Sequence, residues 1–224
     1  MPPLQRSDPY PWPWDAAIDE PLDASRIALL CVAVQPSFTA ATVGAEAATV
    51  TIGLAARALR QAGAAVLCVT VGARPHPVRP SPLRSEVPED PDPLIAAYSD
   101  AVIASVGIDG FFASPLESLL RDLGRDRVVL CGLGAETAVD STLRSANDRG
   151  FECLTLVDAV APHSPDVAAH AHSSVTMSGG IFGAIGTTAD LLGAIGAAPQ
   201  LPDADTPTPS AHHPTVAPQE VPTP

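Results

Sequence analysis

The stretch GLGAETAVDST, residues 132 to 142, follows the apolar run RVVLC (127 to 131) and opens a segment with helical spacing. A glycine-bearing turn between a strand and a helix is where parallel-sheet proteins collect ligands, because the first amides of the helix point outward without partners. In this turn the hydroxyl side chains are Thr137, Ser141 and Thr142, and there is no cysteine. Whether the turn performs chemistry therefore depends on what the rest of the chain brings to it.

Outward from the turn, short β-branched runs alternate with Ala-rich helical ones, the pattern of a parallel sheet covered on both faces. IALLCVAV (27–34) reads as a strand, GAEAATVTIGLAARALRQAG (44–63) as a helix closing on Gly63, and AAVLCVTVG (64–72) as the second strand. The proline-dense RPHPVRPSPLRSEVPEDPDP (74–93) is too long for a simple turn and reads as a surface excursion over a pocket. AVIASVG (101–107) reads as the third strand, although its composition also allows a helix. Ser114 is expected to cap SPLESLLRDLG, with Pro115 at the first helical position and Glu117 completing a capping box. The strand RVVLCG, the helix AETAVDSTLRSANDRG, the strand ECLTLV, the helix SPDVAAHAHSSVTMSG, the strand-like GGIFGAIG and the helix TTADLLGAIG follow.

At 224 residues and 46% hydrophobic content the chain can bury the core of one α/β domain and carry extra polypeptide. It divides into a Pro/Trp-rich arm (1–24), a domain (25–198) and a Pro-rich tail (199–224) expected to be disordered or PPII-like. Pro11 to Trp14 of the arm can pack on the domain's own surface or on a neighbour. A formal charge of -13 opposes binding to phosphate backbones, so nucleic acid is not an expected partner. Neither a basic leader nor an apolar run near the ~18 residues needed to cross a bilayer is present, which predicts a soluble, cytoplasmic chain without a membrane partner. Cys31, Cys68, Cys131 and Cys153 each lie inside a strand-like run and form no C-x-x-C pair, as expected of buried, reduced and inert thiols. His170 and His172 point to different faces of a helix, and His212 and His213 lie in the tail; all four read as solvated surface, with no metal site.

Two readings of the turn compete. Gly132 and Gly134 match the first two glycines of a dinucleotide fingerprint, with Asp158 at a plausible distance, but Thr137 stands in the place of the third glycine and little sheet follows. The second reading rests on longer phrases. VVLCGLGAETAVDSTLRSANDRGFECLTLVDAVAP (128–162) followed by MSGGIFGAIG (177–186) resembles the second half of the isochorismatase-like cysteine hydrolases, and especially the biuret-hydrolase-type amidases. The similarity extends back through DGFFASPLESLLRDLG (109–124) to IALLCVAVQPSF (27–38), covering roughly residues 25 to 195. It implies a three-layer Rossmann-like α/β sandwich with a parallel sheet of about six strands, and frequent homo-oligomers.

The amidase chemistry of that family asks for a cysteine on the first turn after the fourth strand, where amide dipoles lower its pKa and backbone N–H groups hold the oxyanion. It also asks for an aspartate at the end of the first strand and a lysine near the end of the third. The resemblance places Ala138, Ala33 and Ser105 at these positions. A methyl group cannot attack a carbonyl, and the vinyl-ether chemistry of the isochorismatase branch needs the aspartate that Ala33 replaces. Around the strand ends the resemblance further places Gln35, Asp109, Phe111, Phe112, Gly134, Ala135, Glu136, Thr137 and His163 as pocket residues.

Each has a plainer alternative. Glu136 can bind an amide donor or activate water, or it can simply sit favourably at a helix N-terminus. Asp109 can pair with Glu136 as an acid/base set, or stabilise the turn before Gly110. Phe111 and Phe112 divide between core and pocket wall. Gly179, Gly180, Gly183 and Gly186 can form an anion nest or allow close packing. Two functions follow: a degenerate member that assembles with itself or with an active paralogue or binds a small molecule in the old pocket, or a working hydrolase of amide or urea-like C–N bonds that uses Glu136 or Asp109 with water. Neither needs a cofactor.

Overall fold

Every residue of the run IALLCV is buried, as is every residue of AVLCVTV and AVIAS, so both faces of these strands are covered and alternation is absent. The computed structural model describes residues 22–72, 89–178, 180–197 and 215–216. Pro11 to Trp14 in the arm, most of the proline-dense connection, Gly179, and the tail residues His212 and His213 lie outside the described residues.

In chain order the elements are β1 (Ile27–Val32), α1 (Pro36–Ala41), α2 (Ala45–Gln61), β2 (Ala65–Val71), α3 (Pro93–Tyr98), β3 (Ala101–Ser105), α4 (Leu116–Asp122), β4 (Arg127–Leu133), a π-helical turn (Ala135–Val139), α5 (Asp140–Asp148), β5 (Glu152–Ala161), α6 (Pro165–Met177), β6 (Ala184–Gly186), α7 (Thr188–Ala194) and β7 (Thr215–Val216). The strands form one sheet in the order β6-β5-β4-β1-β2-β3-β7, and every pairing is parallel. The fold is the expected α/β sandwich: six strands match the reading of the sequence, and AVIAS is a strand, not a helix. The seventh, two residues long, comes from the segment read as a disordered tail.

The chain builds β1, β2 and β3 outward on one side and then crosses to lay β4, β5 and β6 on the other. The direction of winding therefore reverses between β1 and β4, and such a reversal opens a crevice beyond the carboxyl ends of those two strands. Register aligns Val32 with Gly132 on one side and with Val69 on the other, so the residues just past these positions share that crevice mouth. Gly132, at φ 141, lets β4 close on β1: a Cβ there would stand 2.0 Å from the Val32 carbonyl oxygen.

The helices bury small faces. On α2 the buried set is Ala45, Ala48, Ile52, Gly53, Ala55, Ala56, Ala58 and Leu59. Ile52 and Leu59 are fully buried, each contributing roughly 1.5 to 3 kcal/mol of apolar transfer.

Two local expectations are corrected. Ser114 does accept the Leu116 amide at 3.3 Å, but Pro115 precedes the helix and Glu117 closes no capping box, because its carboxylate pairs with Arg149 at 3.0 Å. The reciprocal box lies instead on α7, between Thr187 and Asp190. Asp158, the residue at fingerprint distance, falls where the register of β5 against β4 shifts, and its Oδ1 accepts the amide and hydroxyl of Thr188 at 2.9 and 3.1 Å. Its carboxylate thus caps α7, and the nucleotide reading loses its acidic partner.

Candidate active site at the ends of β1, β3 and β4

The turn after β4 is wound more widely than an α-helix. Gly134 enters it in the left-handed region, Ala135–Val139 form a π-helical turn, and α5 continues from Asp140. Wide turns of this kind recur at functional sites. Ala138 is fully buried, and its carbonyl accepts the Thr142 hydroxyl at 2.7 Å. Thr142 Oγ1 in turn accepts the Gly110 amide at 2.9 Å, tying α5 to the loop after β3.

Ala33, one residue past β1, has φ 57, a conformation that asparagine and aspartate tolerate better than alanine. It is held there by its N–H to the Val69 carbonyl at 2.9 Å and by the Gln35 amide on its own carbonyl at 2.9 Å. Gln35 spends its side chain on the backbone of β2. Its buried side-chain amide donates to the Val71 carbonyl at 3.1 Å and accepts the Val71 N–H at 2.7 Å, joining the ends of β1 and β2.

Ser105 is fully buried. Its Oγ lies 2.7 Å from the Asp109 carbonyl and 2.9 Å from that of Phe112, one of which takes its single proton, and it accepts the Gly107 amide at 3.1 Å. Where the resemblance asks for lysine, a hydroxyl therefore organises the loop.

Asp109 does not pair with Glu136. One carboxylate oxygen accepts the Phe111 amide at 2.9 Å and the other the Ser145 hydroxyl at 2.8 Å, which makes it a turn residue. Phe111 is buried and stacks on Phe151 at 6.0 Å between ring centroids, with Arg149 over the first ring at 4.9 Å and Arg121 over the second at 4.2 Å. Phe112 is 43% exposed, so the pair divides between core and surface.

Glu136 Oε1 accepts the amides of His163 at 2.9 Å and Ser164 at 3.3 Å, so the carboxylate serves the entry to α6 and not its own helix. Oε2 is buried and has no hydrogen-bond partner among the described residues. His163 closes over the same turn: Nδ1 meets the Ala41 carbonyl at 3.1 Å and Nε2 meets Thr137 Oγ1 at 3.3 Å. A carbonyl only accepts, so Nδ1 is the donor to Ala41, while the single Thr137 hydroxyl proton lies between Nε2 at 3.3 Å and the Gly134 carbonyl at 3.2 Å. Phe38, fully buried, lies 5.8 Å from the His163 ring. Glu136, Thr137 and His163 are thus brought together, while Gln35, Ser105 and Asp109 are spent on the backbone and on Ser145.

All four cysteines are free and buried. The hydrogen bond with Cys131 and burial push the Cys31 thiol well up, and burial does the same to Cys68 and Cys153, so these thiols stay protonated. Cys31 and Cys131 lie side by side with sulfurs 3.8 Å apart. Among the described residues no three of His, Cys, Asp and Glu gather as a metal site. The glycine segment packs closely: a Cβ on Gly183 would stand 2.3 Å from the Cys153 carbonyl oxygen.

The residue that the sequence placed wrongly is His172. It is not solvated surface: with Ala135, Asp140, Leu143, Thr155 and Val175 it lines a small, partly open cavity between the π-helical turn, β5 and α6. His172 Nε2 and Thr155 Oγ1 are both buried without partners among the described residues, and burial lowers the His172 pKa. The spacing of His172 and Val175 on one helical face carried that signal, but the exposed His170 in the same HAH masked it.

A family model, the isochorismatase domain, matches residues 27–190. An uncharacterized isochorismatase family protein, YecD of Escherichia coli O157:H7, is 31% identical over 160 residues, which cover 65% of this chain and 85% of that protein. The ureidoacrylate amidohydrolase RutB of Enterobacter sp. (strain 638) is 31% identical over 104 residues, 46% of this chain, and the match spans only 44% of the relative's length. The fold superposes with a TM-score of 0.67 on a cysteine hydrolase from Pseudomonas syringae pv. phaseolicola 1448A, at 20% identity over 79% of this chain and 95% of that one. A match that runs from β1 through β6 into α7 leaves one assignment: the chain belongs to the isochorismatase family.

Proposed function

We propose that this chain is a catalytically degenerate member of the family, which keeps the crevice of the fold for assembly or for a small ligand and has no covalent hydrolysis. The supporting observation is the joint state of three positions. Ala33, Ser105 and Ala138 stand where the resemblance asks for aspartate, lysine and cysteine, and all three are fully buried. Neither alanine can move a proton or form a bond, and the one hydroxyl is engaged with loop carbonyls and an amide. Self-association, or association with an active paralogue, is the expected use of such a frame. Four buried, unpaired thiols favour a reducing compartment such as the cytoplasm, and among the described residues no helix is long and apolar enough to cross a membrane.

The test is hydrolysis of a panel of amides and ureas by highly purified protein. The expected result is no turnover above that of the Ala138→Asp variant. One observation favours a second reading, the unpartnered Glu136 Oε2, which would be the base of a water-activating hydrolase. Turnover that Glu136→Gln abolishes would establish that reading and overturn the first.

A further inference from the structure

Without β7, β3 would be the outer edge of the sheet. Its five residues, AVIAS, are all buried. An apolar, buried-type strand with a free row of amides and carbonyls is a template for unwanted pairing, and folds that tolerate such an edge cover it. Here the cover is minimal and specific. Thr215 pairs with Val102 and Val216 with Ile103, in parallel, and Val216 packs partly buried against the main core.

The sequence around the pair is P-T-V-A-P, residues 214 to 218. Proline carries no backbone N–H and is confined to strand starts and edges, so neither Pro214 nor Pro218 can donate to a ladder and only three residues, two of them β-branched, stand between them. Such a segment can add to an edge while offering no good edge of its own for the next chain. β3 also leads straight into Ser105, whose hydroxyl organises the loop to Phe112 beside the crevice. Occupancy of this edge therefore bears on the mouth of the site.

We propose that the outer edge of β3 is a strand-addition site that takes a short parallel segment of β-branched residues bounded by prolines, and that the chain's own Thr215–Val216 is its occupant. Main-chain hydrogen bonds supply the affinity, and the Val216 side chain against the core supplies the selectivity. The self-supplied strand closes the edge against a second copy of the chain.

Hydrogen exchange on the full-length chain tests this. In the variant Thr215→Pro/Val216→Pro, which removes both amides of the pair, the β3 amides that face β7 should exchange at least about tenfold faster while those of β1 and β4 are unchanged. A labelled peptide of residues 211–220, AHHPTVAPQE, should bind the variant, bind the unaltered chain more weakly, and lose binding when its own Thr-Val is replaced by Pro-Pro. The variant Val216→Asp, which keeps both amides, should weaken protection less than the double proline change. Equal β3 exchange in the unaltered and doubly substituted chains would overturn the site. Protection of β3 that grows with protein concentration would overturn the choice of occupant, because a second copy would then be supplying the strand.

Discussion

Glu136 and His163, twenty-seven residues apart in the chain, are joined by a carboxylate that accepts the His163 amide at 2.9 Å and the adjacent Ser164 amide at 3.3 Å. The π-helical turn after β4 is thereby fastened to the start of α6. Glu136→Gln keeps one acceptor and should cost about 1 kcal/mol, whereas Glu136→Ala leaves two amides without an acceptor and should cost roughly 2 to 3 kcal/mol. For a chain of this size the second change lowers Tm by roughly 5 to 10 °C. Calorimetry of the two variants checks the order and the size of the effect.

Ser105 is a structural hydroxyl where the resemblance asks for lysine. Ser105→Ala deprives the half-buried Gly107 amide of its acceptor and the loop carbonyls of a donor, at a cost of roughly 1 to 3 kcal/mol. Ser105→Lys should be worse, because a fully buried position would have to hold a larger, charged ammonium group. Urea denaturation of the unaltered chain and both variants should rank them in that order.

Acidification should loosen the seam between α5, β5 and α6. Burial holds the His172 pKa below its unfolded value of about 6.5. The unfolded chain therefore binds the proton first, and the stability that neutral His172 contributes is present above about pH 6.5 and lost as the pH falls through the folded pKa. The charged group that shares the cavity wall with His172 is Asp140, itself paired with Arg144 at 3.1 Å. Tm measured from pH 7.5 to 5 should fall for the unaltered chain, and the fall should be shallower in His172→Leu.

Thiol titration gives a further check on the absence of a substitute nucleophile. With Cys31, Cys68, Cys131 and Cys153 all buried, an aromatic disulfide reagent should find no fast-reacting thiol in the native state and four after denaturation. One rapidly modified thiol in the folded protein, especially if protected by an amide ligand, would reopen the covalent route.

The single change Ala138→Cys should not create an amidase. A thiol there would lack the acid and the amine that the resemblance requires, since Ala33 and Ser105 remain. Turnover by this variant alone, measured against the unaltered chain, would show that the crevice supplies its own base.

The strands, the order in which they alternate with helices and the membership of the family were legible in local sequence, because β-branched runs, Ala-rich helical faces and the phrase around Gly132 to Gly150 each act within a few residues of themselves. That residues 33 and 138 are alanines is plain from the sequence, and that they stand where the family asks for an aspartate and a cysteine is what the resemblance implies. What the local pattern does not contain is direction. Gln35 turns to Val71, Asp109 to Ser145 and Ser105 to carbonyls up to seven residues ahead, each because a buried polar atom must find a partner and the sheet decides which is near. His172 becomes a cavity wall, and Thr215–Val216 an edge strand, only when elements distant in the chain are packed against each other. Burial and strand pairing depend on the whole fold, so tertiary structure alone decided them.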